Sequence, residues 1–215
     1  MDSRTTGLIL RTRPLTETSL IVHWLTPDFG RIATVAKGAR RPKSPFRGKL
    51  DLFYLCEFTF VRSRRSDLHT LREASLRGTN ESLRHELAKL QQASYCAALN
   101  EQTTETETPL PAEFLLLSEL LIALSGAPAN PASVLAFELK LLTQHGQSPD
   151  LASTSLSEGS QRVAERLTQG TWEELTRLKP SAGQIKELSQ FLHGFLIYHL
   201  GRLTNGREAA LACNA

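Results

Sequence analysis

Six cations crowd into thirteen residues near the front of the chain. The stretch Lys37-Gly38-Ala39-Arg40-Arg41-Pro42-Lys43-Ser44-Pro45-Phe46-Arg47-Gly48-Lys49 carries them and contains no acid. Cations at this density suit contact with phosphates rather than bond-making. A cationic loop tracks a phosphate backbone, and release of condensed counterions drives the binding. Prolines and glycines exclude regular structure here, so a flexible loop is expected. Lys37, Arg40, Arg41, Lys43 and Arg47 are the first candidates for phosphate contact. Arg11, Arg13, Arg62, Arg64 and Arg65 form a second set, whose facing the sequence does not fix. Gly38 would let a backbone approach closely. Phe46 either stacks on a base or packs into a core, and its residue type does not separate the two. A solvated surface loop is the alternative, but such loops usually mix charges of both signs.

Residues for bond chemistry are present but not clustered. The front acids Asp2, Glu17, Asp28, Asp51, Glu57, Asp67 and Glu73 are scattered, whereas a hydrolytic nuclease gathers carboxylates around metal. Glu105 and Glu107 fall in a polar loop. Glu173 and Glu174 open a short helix, where acids complement the helix dipole. Six histidines show no ligand spacing; His193 and His199 are six apart and share no helical face well. There is no phosphate-binding glycine loop of the nucleotide-binding types. Cys56, Cys96 and Cys213 lie far apart, as neither a metal pair nor a redox pair. Each reads as a small buried hydrophobe or a tolerated thiol, in a reducing, cytoplasmic setting. No catalytic residue, cofactor or metal is expected.

The elements that must carry the basic loop divide the chain. Of 215 residues, 40% are hydrophobic and 22% charged, as in an ordinary globular protein. Residues 1–80 hold 15 Lys+Arg against 7 Asp+Glu, a net of +8, and residues 81–215 hold 10 against 15, a net of −5. A basic front and an acidic back suggest two modules with different partners. The start, Met1-Asp2-Ser3-Arg4-Thr5-Thr6, is polar and does not read as a secretory signal. The most apolar stretch, Phe114 to Leu124, is too short to span a bilayer, so no membrane partner is expected.

The front reads as five strands: residues 6–12, 19–25, 30–37, 52–61 and 68–76. Thr26-Pro27-Asp28-Phe29-Gly30 turns the second strand into the third. Ile32, Thr34 and Ala36 share one face, and Leu68, Thr70, Arg72, Ala74 and Leu76 are expected in register on the last strand. Five strands without a strong helix suggest a small barrel. The oligonucleotide-binding (OB) barrel is the first candidate and an SH3-like barrel the second. The back reads as helices over 81–100, 112–125, 131–145, 161–168, 172–178 and 181–203. Thr79-Asn80 caps the first, and the second, apolar nearly all round, is expected to be buried. The expected fold class is α+β, with an OB barrel over residues 1–79 and an all-α domain over 80–215.

Several of these residues also carry a resemblance. Gly7-Leu8-Ile9-Leu10-Arg11-Thr12-Arg13-Pro14-Leu15-Thr16-Glu17-Thr18-Ser19, Leu25-Thr26-Pro27-Asp28-Phe29-Gly30-Arg31, the basic loop from Ala36 to Ser44, and Asp67-Leu68-His69-Thr70-Leu71-Arg72-Glu73-Ala74 resemble the RecO family of bacterial DNA repair proteins. Phe137-Glu138-Leu139-Lys140-Leu141-Leu142 and Leu188-Ser189-Gln190-Phe191-Leu192 resemble it more weakly. The resemblance implies an OB barrel followed by helices, a cytoplasmic, nucleoid-associated setting, and no enzymatic turnover. It implies binding of single- and double-stranded DNA and annealing of complementary strands. It implies work with RecR, and often RecF, to help RecA replace single-stranded DNA-binding protein, which is met through its acidic C-terminal tail. Such a tail wants an apolar groove flanked by a cation, and Phe137 with Lys140 one turn away is the candidate; a solvated lysine is the alternative. Many members carry a cysteine-rich zinc site after the glycine that here is Gly146. Residues 147–167 contain no cysteine, so no zinc is expected, and that loop is held by packing or is mobile. A protein-interaction scaffold and an RNA-binding barrel remain the alternative functions.

Overall fold

The computed structural model describes residues 2–212, so the expectation for Cys213 lies outside the described residues. The chain divides into two compact units. One comprises Met1–Asn80 with Thr104–Leu115, and the other Glu81–Thr103 with Leu116–Ala215.

In the first unit, apolar and polar residues alternate with the period of two that places successive side chains on opposite faces of a strand. Strands β1 (Asp2–Pro14), β2 (Leu20–Thr26), β3 (Gly30–Ala36), β4 (Leu55–Val61) and β5 (Leu68–Gly78) close a barrel in the order β1-β2-β3-β5-β4. All neighbours are antiparallel except β3 and β5, which pair in parallel through Ala33–Leu68, Thr34–His69 and Val35–Thr70. This is the OB fold, and the SH3-like alternative falls. Its interior stacks Trp24 on Phe58, with ring centroids 4.0 Å apart, and adds Ile9, Val22, Ile32, Cys56, Phe60, Leu71 and Ala74. Trp24 buries its ring completely because its Nε1 donates to Thr34 Oγ1 at 2.8 Å, leaving no unpaired donor.

The last strand departs from the expected register. His69, Leu71 and Ala74 are buried, whereas Leu68 and Thr70 are half-buried and Arg72 and Leu76 exposed. An irregularity in the β4–β5 pairing between Thr59 and Phe60 shifts the alternation midway, which uniform period-two reading cannot anticipate.

The polar segment expected as a loop is tied to this barrel by hydrogen bonds. Arg31 Nη2 donates to Thr104 O at 2.5 Å, Glu107 N to Arg31 O at 3.1 Å, and Leu110 N to Pro27 O at 3.0 Å. Gly30, with φ +61°, makes room for it. A Cβ at Gly30 would lie 1.8 Å from Thr108 O.

The second unit is helical. Its long elements are α1 (Leu87–Thr103), α2 (Pro111–Gly126, of which residues from Leu116 onward belong here), α3 (Pro131–Gln144), α4 (Glu158–Gln169) and α6 (Ala182–Leu200). Two short ones, α5 (Trp172–Arg177) and α7 (Arg207–Leu211), complete it. Starts follow capping chemistry: Asn130 accepts from Ala132 N ahead of Pro131, and Thr171 and Ser181 form capping boxes with Glu174 and Gln184. The helix expected over 81–100 is instead a 3-10 turn, Glu81–Arg84, followed by α1. Asn80 Nδ2 donates to Phe53 O at 2.8 Å. Helix α2 is not buried all round, since Leu115 is 56% and Ile122 67% exposed. Leu135 and Leu139 of α3, Val163 and Leu167 of α4, and Leu188, Leu192 and Leu196 of α6 form the main core.

Tyr95, Glu138 and Arg207 meet within this unit. Arg207 donates in a fork to both Glu138 oxygens, at 2.6 and 2.9 Å, and Tyr95 Oη donates to Glu138 Oε1 at 2.5 Å. Glu138 is fully buried, and the pairing fixes the short helix α7 beneath α1 and α3.

Candidate nucleic-acid interface

Alternating strand direction sorts the barrel connections by end. The β1–β2 and β3–β4 connections open at one end, and the β2–β3 and β4–β5 connections at the other. The ten candidate cations therefore fall into three groups rather than one patch.

Lys37, Arg40, Arg41, Lys43 and Arg47 share the first end, and all five are exposed. The loop that carries them is not loose. Ala39 N donates to Ala36 O, Arg41 N to Gly38 O, Ser44 N to Arg41 O, Arg47 N to Ser44 O and Lys49 N to Phe46 O, a run of successive turns. Gly38 and Gly48, at φ +68° and +71°, supply the left-handed backbone that the turns need. Arg40 N donates to Thr18 O at 2.9 Å, which joins the loop to the β1–β2 turn. Phe46 settles which of its two roles it takes: it is 6% exposed and belongs to the barrel core, so it anchors the loop and cannot present its face to a base. The loop thus forms a cationic rim shaped by successive turns.

Arg11 and Arg13 stand on the outer face of β1. Arg11 pairs with His23 and Arg13 with Ile21 across β2, after an irregularity between Ile9 and Arg11 turns the arginines outward. Arg13 Nη2 lies 3.3 Å from His23 Nε2. Burial, with the guanidiniums of Arg11, Arg13 and Arg31, lowers the His23 pKa to about 4. The ring is therefore neutral at pH 7, and the face owes its charge to arginine. His23 and Arg31 were not among the sequence candidates. The outward alternation of β2 and β3 was the signal that could have found them.

Arg62, Arg64 and Arg65 occupy the β4–β5 connection at the far end. Arg62 is committed: its Nη2 lies 3.0 Å from Glu107 Oε2, and its guanidinium sits 5.6 Å over the Phe29 ring. Arg64 and Arg65 are exposed.

The proposed peptide-tail pair is not a surface feature. Phe137 is fully buried and offers nothing to a peptide. Lys140 is neither groove cation nor solvated lysine, because its Nζ donates to Thr168 O at 2.9 Å and Gly170 O at 2.7 Å, closing the end of α4. Helical spacing put both residues on α3 but could not reveal that α4 and α5 pack over it.

Among the described residues, no three His, Cys, Asp or Glu side chains gather closely enough to hold a metal ion. The segment after Gly146 is held by hydrogen bonds and packing. Gln147 N donates to Leu142 O at 2.8 Å, Ser148 Oγ to Thr143 Oγ1 at 2.9 Å, and Leu156 is buried. Among the described residues, no helix is long and apolar enough to cross a membrane.

Comparison with known proteins agrees with this geometry. Residues 1–80 match the family model for the Recombination protein O N terminal domain, and residues 84–161 that for the Recombination protein O C terminal domain. The DNA repair protein RecO of Rhodopirellula baltica is 34% identical over 66% of this chain and 53% of its own length. That of Myxococcus xanthus is 31% identical over 76% and 66%. That of Anaeromyxobacter dehalogenans strain 2CP-1 is 29% identical over 96% and 94%. The chain thus spans about half the length of the Rhodopirellula protein and nearly all of the last.

Proposed function

This chain belongs to the RecO family of DNA repair and recombination proteins, and we propose that it acts as a recombination mediator without catalytic turnover. In this reading it binds single- and double-stranded DNA and anneals complementary strands. With RecR, and in some settings RecF, it helps RecA load onto DNA coated with single-stranded DNA-binding protein, which it meets through that protein's acidic tail. The observation that carries the reading is the anchored loop from Lys37 to Lys49 at the mouth of an OB barrel, with five exposed cations held by turn hydrogen bonds.

The physics of annealing fits such a surface. Two complementary strands repel each other through their phosphates. A cationic rim lowers that repulsion while gripping each strand reversibly, so charge and fast exchange suffice and no reacting group is needed. Arg11 and Arg13 extend the rim along the β1–β2 face, and Arg64 and Arg65 add charge at the far end. The test is annealing of two complementary oligonucleotides without ATP, bare and coated with single-stranded DNA-binding protein, over a salt series. Acceleration on both that fades with salt is expected. Acceleration on bare strands alone would remove the tail-binding role. None on either would favour the scaffold alternative, and preference for RNA strands the RNA-binding one.

A further inference from the structure

Between the basic loop and β2 lies a cleft of about 390 Å³. Leu20, Ala39, Phe46 and Leu50 form its apolar floor, and Arg40, Arg41 and Arg47 stand around it. None of the residues lining it is acidic. Its size falls within the roughly 300–1,000 Å³ of small-molecule sites. The geometry points to a pocket for one unstacked nucleotide of a single DNA strand, its base laid on the apolar floor and its flanking phosphates held by the three arginines. This inference rests on the DNA-binding reading and adds to it a means of telling single strands from duplex.

Charge complementarity selects the occupant. Arg40 Nη1 donates to Thr16 O and Arg47 Nη1 to Pro42 O, both at 3.4 Å, which holds the guanidiniums beside a floor without carboxylates. Such a site favours an anion that also brings a flat apolar body, and a nucleotide provides both. The floor is built in advance. Phe46 and its neighbours pack against the barrel core, so the cleft need not open at the moment of binding. Phe46 lines the cleft but is almost wholly buried, so the base rests mainly on aliphatic surface rather than in an aromatic stack. In a duplex the base is paired and stacked and cannot reach the floor, so duplex binding uses the arginines alone.

The test uses the whole chain and three probes of equal length: a thymidine oligonucleotide, the same backbone with abasic sites and hence the same charge, and a duplex, compared by fluorescence anisotropy at one salt concentration. The thymidine strand is expected to bind at least about tenfold tighter than the abasic strand, the size of one base contact. In Ala39→Phe, which fills the cleft without altering charge, the ratio of thymidine-strand to abasic-strand affinity should fall to about one. Should Ala39→Phe fail to fold, Ala39→Leu serves in its place. Equal binding of the thymidine and abasic strands by the unsubstituted chain overturns the pocket and leaves phosphate binding standing. A preference that survives cleft filling places the base elsewhere and also overturns it. Absence of binding to all three probes removes the DNA-binding reading itself. An acidic peptide that displaces the thymidine strand from the unsubstituted chain but not from Ala39→Phe would reassign the cleft to a peptide.

Discussion

Buried polar side chains do the most specific work at the scale of single residues. Glu138 is fully buried and tolerable there because Arg207 meets it with two hydrogen bonds and Tyr95 adds a third. Removing one charge strands the other in a low-dielectric core. Glu138→Gln should therefore lower stability by about 3–5 kcal/mol, seen as a lower urea midpoint. Replacing the pair together, with Glu138→Leu and Arg207→Met, should recover most of that loss, and a double variant no better than the single one would contradict this account. His23 gives a pH signature. Its folded pKa of about 4 lies below the ordinary histidine value of 6.5, so the folded chain binds fewer protons than the unfolded chain between those values. Its contribution to stability is complete above pH 6.5 and is lost as pH falls toward 4. Burial moves His69 in the same direction. An NMR titration of the His23 ring should show a midpoint near 4, and a midpoint near 6.5 would mean that the ring is solvated and distant from the arginines. The alternation of β2 could place His23 on the outer face, but its arginine neighbours appear only when β2 is paired with β1. The role of Glu138 was not legible in sequence, because it depends on α7 folding back under α3.

Whether an element could be read from the sequence depended on how regular its periodicity was. Strands β2 to β4 and helices α3 and α6 keep a regular alternation or stripe, and sequence and structure agree on them to within a few residues at most ends; β1 was found despite its own irregularity after Ile9. Strand β5 changes phase at an irregularity, and α7 has only five residues, too few for a period, so both were misread or missed. The basic loop was legible as chemistry but not as structure. Its charges were plain, whereas the anchoring of Phe46 depends on a barrel interior that only the closed fold creates. Phe46→Ala should cost about 3–5 kcal/mol by urea unfolding. It should also weaken DNA binding although it removes no charge, because the loop loses its anchor. Unchanged DNA affinity in a folded Phe46→Ala variant would show that the rim shapes itself. Gly30 makes a parallel case. A methyl there meets Thr108 O and requires a positive φ, so Gly30→Ala should detach the 104–110 segment from the barrel and expose its amides to hydrogen exchange. Protection equal to that of the parent chain would contradict the placement of that segment.

For the molecule as a whole, the division of charge is the feature that sequence and structure express alike. The basic front is a barrel that presents cations on its loops and outer face, and the acidic back is a helical unit held by an apolar core and one buried ion pair. The family match spans both. What the sequence could not supply was the sorting of the ten cations, because strand direction decides which loops share an end. It sets the rim of Lys37 to Arg47 apart from Arg64 and Arg65, and places Arg11 and Arg13 on the outer wall. The central claim is that the rim grips DNA through its phosphates. The most direct measurement is the affinity for a single-stranded oligonucleotide as a function of salt, for the parent chain and for Arg40→Glu with Arg41→Glu. The logarithm of affinity should fall linearly with the logarithm of salt, and the double variant should bind far more weakly, with a slope shallower by about 1.4 from the loss of two phosphate contacts. An unchanged affinity and slope in the double variant would show that the DNA lies elsewhere on the molecule.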